Sequence, residues 1–230
     1  MRFPDLVSST FRSQKSEVRS QKSEMKGQLI DSIQISLNLF NQSTARIFWN
    51  LFLAAIPLTL SFYLFRPSVI RNLLWWTTLL IFIAFLPNAP YILTDSIHIL
   101  ELSRRSYPHW AIILILIPQY ILFITAGFEA YVIALIRLDH YLTNVAAQKY
   151  LLLVNAIAHG LCVVGIYLGR FERFNSWDFV TKPGQVISIT LQDLLDSWKL
   201  LSMALAFCLI WLLSEFTKLV NYRLKLITNN

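Results

Sequence analysis

Five long apolar stretches, set off by short polar ones, dominate the chain. They run over roughly 47–65, from 73 into LPNAPYIL, and over 110–136, 151–168 and 200–219. Within each, apolar residues are nearly continuous rather than spaced with period 2 or 3.6. A bilayer core about 30 Å thick needs about 20 such residues in a helix rising 1.5 Å per residue. Runs of this kind predict spanning helices. The predicted fold class is therefore all-α, a polytopic helical transmembrane bundle of about five spans. Pro87 and Pro90 interrupt the second span, and Pro118 predicts a kink in the third.

Two different patterns precede the first span. Residues 12–25 read RSQKSEV-RSQKSEM, a seven-residue unit repeated almost perfectly with one apolar position per unit. A coiled coil needs two, so the repeat predicts a disordered, low-complexity tail over 1–26. Met25 ends the repeat and would serve as a translation start in place of Met1. Next, QLIDSIQISLNLF places Leu29, Ile33, Leu37 and Phe40 at helical spacing opposite Asp31, Gln34 and Asn38. This predicts an amphipathic interfacial segment over 27–45. The membrane domain then occupies 46–222, with a short tail at 223–230.

Composition sharpens the class. At 56% hydrophobic, 14% charged and a mean hydropathy of +0.53, the chain is too apolar for an ordinary soluble domain. No apolar signal-peptide core occurs in residues 1–28. The net charge of +7 sits in the tail and at span ends, without a basic stripe interleaved with aromatics, which argues against a nucleic-acid partner. Cys162 and Cys208 lie inside apolar runs and read as packing residues rather than a disulfide.

Counting spans places the two longer connections, 94–109 and 169–198, on one membrane face. Trp49, Trp110, Trp177 and Trp198 fall near the same face, as interfacial belts prefer. That face collects 13 of the 20 Lys and Arg residues, which predicts a cytoplasmic motif face and a cytoplasmic N-terminus. A start at Met25 would reduce the count to near parity with the other side.

Candidate chemistry clusters on this face. Two prolines in LPNAPYILTDSIH free backbone carbonyls near Asn88, which reads either as a re-entrant turn lining a cavity or as a helix end capped by Thr94 or Asp95. Asp95 and His98, three apart, share a helix face and suit proton transfer. As metal ligands they are only two, and His109 or Asp178 would have to complete a set, so no metal is expected. GRFERFNSWDFV supplies Arg170 and Arg173, which could fork onto a phosphate or carboxylate, together with Asn175, Trp177 and Asp178. The alternative is that both arginines snorkel to headgroups and Trp177 belongs to the belt. Inside the spans, Glu129 and His159 lie at similar depth, about 12 and 15 Å from the far face, which predicts an intramembrane polar pair. No nucleotide loop, nucleophile elbow or Cys/His cluster occurs, and no residue pattern names a cofactor or sets an oligomeric state.

The stretches FLPNAPYILTDSIHI and GIYLGRFERFNSWDFV closely resemble the two signature stretches of the bacterial family known as domain of unknown function 1361. WNLFLAAIPL at 49–58 is similar to that family's opening span, and the resemblance covers roughly 46–219. IAFLPNAPYIL with LIPQYILFITAGFEAYVIAL is most similar to cyanobacterial members. The resemblance implies a multi-pass protein of the bacterial cytoplasmic membrane, and it carries no assigned activity. Three roles stay open. The first is a binding or transport-type protein for an anionic lipid or small solute. The second is an enzyme on a lipid-linked phosphate, with Asp95, His98 or Asp178 catalytic. The third is an accessory subunit.

Overall fold

The computed structural model describes residues 3–104, 107–174 and 178–228. Helix α1 spans Phe3–Leu64 and α2 spans Leu73–Phe85. Short helices α3 (Asn88–Tyr91) and α4 (Ile97–Ser103) flank a 3₁₀ turn at Ile92–Ser96. A single turn, α5 (His109–Ala111), leads through a π turn at Ile112–Leu116 into α6 (Ile117–Asn144). Helices α7 (Leu151–Arg170), α8 (Asp178–Thr181), α9 (Pro183–Leu195) and α10 (Ser197–Thr228) complete the order. Among the described residues there is no strand, and five helical segments are long and apolar enough to cross a membrane.

Three local departures from the sequence expectations have physical causes. First, α1 is one helix of 62 residues, so the repeat and the 27–45 segment are both helical and continuous with the first span. Four of the seven positions of the repeat are Arg, Gln, Lys and Glu, which favour helix whatever the apolar position does. Second, the 86–98 stretch neither re-enters nor caps: the chain keeps a helical course from Leu73 to Glu101. Thr94 Oγ1 donates back to the Tyr91 carbonyl at 2.7 Å, and Asp95 points inward. Third, the bend expected at Pro118 takes the form of the preceding π turn, whose wider winding accommodates a residue with no N–H. The 169–198 connection also contains α9, opened by Pro183 in its first turn.

Helix α6 is the hub of the bundle and packs against α1, α3, α7 and α10. Tyr120, Tyr131 and Leu135 on it are fully buried. At Gly127 an added Cβ would collide with the Ile92 side chain, so the missing side chain lets α6 close on the 3₁₀ turn. The end opposite the motifs is fastened by aromatic and cationic groups. Trp75 Nε1 donates to the last α1 carbonyl, Leu64, at 3.0 Å, while the Asn72 side chain caps α2. Arg71 Nε donates to Tyr141 Oη at 2.8 Å, and the Arg137 guanidinium lies 4.0 Å from the Phe62 ring centre. Outside the bundle, Trp49, Trp110 and Trp198 are exposed, as bilayer-facing belt residues are.

Candidate functional site

The two signature stretches meet. Helix α7 passes α3 so closely that a Cβ on Gly165 would lie 2.6 Å from Pro87 Cβ, and one on Gly169 would lie 3.3 Å from Tyr91 Cε2. Beyond Arg170 the chain wraps over the end of α7. Phe171 N–H donates to the Tyr167 carbonyl at 2.9 Å and Phe174 N–H returns to Leu168 at 3.1 Å. That wrap puts Arg173 at φ 58°, the left-handed region that glycine occupies at little cost. A non-glycine residue held there beside a cavity is a stored cost of about 1–2 kcal/mol.

Between α1, the α2–α3 junction and α7 lies a cavity of about 520 Å³. Its polar lining is Asn50, Asn88, Tyr91 and Arg173, with Trp49 at the rim. Asn88 Nδ2 donates to the Phe85 carbonyl at 3.1 Å. Among the described residues the ion pairs do not include Arg173, so its charge is available to an anion. Arg170 sits half-buried on the last turn of α7 and does not line the cavity, so the predicted two-arginine fork is not built. Arg170 closes α7 in helical backbone, whereas Arg173 itself takes the left-handed conformation beyond the helix end.

Asp95 stands behind this cavity. It is 2% exposed and accepts a hydrogen bond from Asn50 Nδ2 at 2.5 Å. His98 does share its helix face, with Nε2 3.8 Å from Asp95 Oδ1, yet its shorter contact is Nδ1 to Glu101 at 2.8 Å. The basic groups Arg46, His98 and Arg170 lie near enough to act on Asp95. Asn50 thus belongs both to the cavity and to the Asp95 cluster. Asp178 opens α8 and does not line the cavity. Asn175 and Trp177 lie outside the described residues. Among the described residues no three His, Cys, Asp or Glu side chains converge as a metal site.

The predicted Glu129–His159 pair does not form. Glu129 accepts from Asn221 Nδ2 at 2.6 Å, whereas His159 Nδ1 lies 2.6 Å from Tyr131 Oη and its ring packs against Trp211. Residues 129 and 131 project about 200° apart around α6, so both cannot face α7, and Tyr131 takes that side. One turn from His159, Asn155 joins a cluster that the sequence reading passed over. Lys218 Nζ donates to Asp139 at 2.9 Å, Glu215 at 3.0 Å and Asn155 at 3.2 Å, and Asn155 Nδ2 donates to Asp139 at 2.6 Å. Lys218, one of the charges near a span end, is only 6% exposed and forms a buried tie between α6, α7 and α10.

A family model described as "Protein of unknown function (DUF1361)" matches residues 49–213. The chain belongs to this family. The match includes both signature stretches and every polar group lining the cavity. No curated protein and no solved structure matches the chain. This DUF1361 protein therefore combines an all-α fold, five helices fit to span a membrane, and a cavity where the family's two stretches touch. Chemically, that cavity offers one guanidinium, two amides, a phenol and an indole. Apart from the amide and phenol oxygens, these are hydrogen-bond donors, one of them charged, a chemistry suited to an anion.

Proposed function

We propose that this DUF1361 protein is a membrane-embedded binding or transport-type protein for an anionic lipid or solute. The cavity between α1, α3 and α7 is its binding site. The observation that carries the reading is the assembly of one cavity from both signature stretches, with Arg173 turned to its rim through a left-handed backbone. Asn50 and Asn88 supply further donors, and Asp95 orients Asn50 from behind. An enzymatic role is less well supported, because Asp95, His98 and Asp178 do not line the cavity. We place the protein in the bacterial cytoplasmic membrane, with its membrane domain over 46–222 and the motif face and N-terminus cytoplasmic. The excess of basic residues on that side supports this orientation.

A protection experiment tests the reading. In a chain carrying Cys162→Ser and Cys208→Ser, Asn88→Cys places a thiol in the cavity wall. Dodecyl phosphate is expected to slow maleimide labelling of that thiol several-fold, and Arg173→Gln is expected to abolish the protection. Equal labelling rates with and without dodecyl phosphate and inorganic phosphate would refute the site.

A further inference from the structure

The lining of the cavity is sorted by depth. On α1, Trp49 and Asn50 lie toward the motif face, whereas Leu53 and Ile56 lie deeper; from Asn50 to Ile56 is about 9 Å along the axis. The second wall repeats the order, with Asn88 and Tyr91 outermost and Ala84 and Phe85 within. The third wall has Arg173 outermost and then Gly169, Leu168 and Gly165 within, the two glycines letting α7 close on Tyr91 and Pro87 of the second wall. Three segments, α1 antiparallel to the other two, thus agree: each polar contact is at the outer end and the inner end is apolar. Phe52, which also lines the cavity, is 52% exposed on the lateral surface of a helix apolar enough to span a membrane, so the groove opens sideways.

A free aqueous anion would use only the outer end and leave the apolar trough wet. The geometry points to an amphiphile as the occupant: a phosphate- or carboxylate-headed lipid whose head meets Arg173, Asn50 and Asn88 and whose chain lies against Leu53, Ile56 and Ala84. This inference rests on the anion-binding reading above and names the class of its ligand. A cavity of about 520 Å³ holds a head and part of one chain. The complete two-chain body of a phospholipid would remain in the bilayer. Lateral entry follows, because the head can slide to Arg173 while the chain stays in apolar surroundings throughout.

The test uses the full chain in nanodiscs of phosphatidylcholine, with inorganic phosphate and alkyl phosphates of four, eight and twelve carbons as probes. Partition into the bilayer is common to all variants and cancels when a variant is compared with wild type. After subtraction of its uptake by protein-free nanodiscs, dodecyl phosphate is expected to bind wild type at least tenfold more tightly than inorganic phosphate. Ala84→Trp, at an exposed position, should weaken dodecyl phosphate tenfold or more while leaving inorganic phosphate within twofold. Ile56→Trp repeats the block from the opposite wall if Ala84→Trp does not fold. Arg173→Gln should weaken every phosphate probe. If the block leaves the preference for long chains unchanged, the amphiphile inference fails while anion binding stands. If neither inorganic nor alkyl phosphate binds wild type, both readings fail.

Discussion

Lys218→Met is the most informative single change to the bundle. Lys218 is almost wholly buried in a spanning helix and joins Asp139, Asn155 and Glu215 on three helices. Removing the ammonium strands the Asp139 carboxylate, whose side chain is 18% exposed and, among the described residues, keeps the Asn155 amide as its remaining donor. Breaking a buried pair by deleting one partner costs about 3–5 kcal/mol, most of it the burial of the charge left behind. At about 2–4 °C of Tm per kcal/mol for a chain of this length, the expected loss is roughly 6–20 °C. Asp139→Asn should cost less, because Lys218 keeps Glu215 as a charged partner at 3.0 Å. The double variant should recover most of the Lys218→Met loss, since it leaves no unpaired charge at 139. Thermal unfolding of all four proteins in one detergent, by intrinsic fluorescence, gives the coupling. Strictly additive losses, with coupling below about 0.5 kcal/mol, would refute the buried tie.

Other perturbations separate stability from binding. Arg173→Gly should raise stability by up to about 1–2 kcal/mol by relieving the left-handed backbone, yet lose dodecyl phosphate binding; a destabilised variant in a melting assay would contradict that. Asn50→Leu should cost about 1–3 kcal/mol by leaving buried Asp95 without its 2.5 Å donor. Adding Asp95→Leu should restore part of the loss, and no restoration would argue against the bond. Gly165→Val should cost about 1–3 kcal/mol, as its Cβ lands 2.6 Å from Pro87 and forces α7 from α3. Unchanged thermal unfolding of that variant would mean the two stretches do not touch there.

How much of this was legible in the sequence depends on the physics involved. The spans were legible because a bilayer demands long apolar runs whatever their neighbours are. Placing both motifs at one face needed only counting, and the Gly165–Pro87 and Gly169–Tyr91 approaches agree with it. Rotation about each helix axis was not legible. Equal depth suggested Glu129 with His159, but Tyr131 faces α7 and Glu129 turns to Asn221. For the same reason Asp139 and Lys218 each looked like a charge at a span end until three helices brought them together. Asn50 was hidden as one amide in an apolar run, and its place in the cavity wall and its bond to Asp95 mark it only once the helices are packed. Helix α9 mixes polar and apolar positions over 13 residues, too short and too wet to stand out beside the spans.

Native mass spectrometry of the purified protein addresses the binding claim most directly. Wild type should carry a co-purified anionic lipid, Arg173→Gln should lose it, and Lys218→Met, which alters the opposite side of the bundle, should retain it. An adduct of equal abundance in wild type and Arg173→Gln would contradict a binding site built from the two signature stretches.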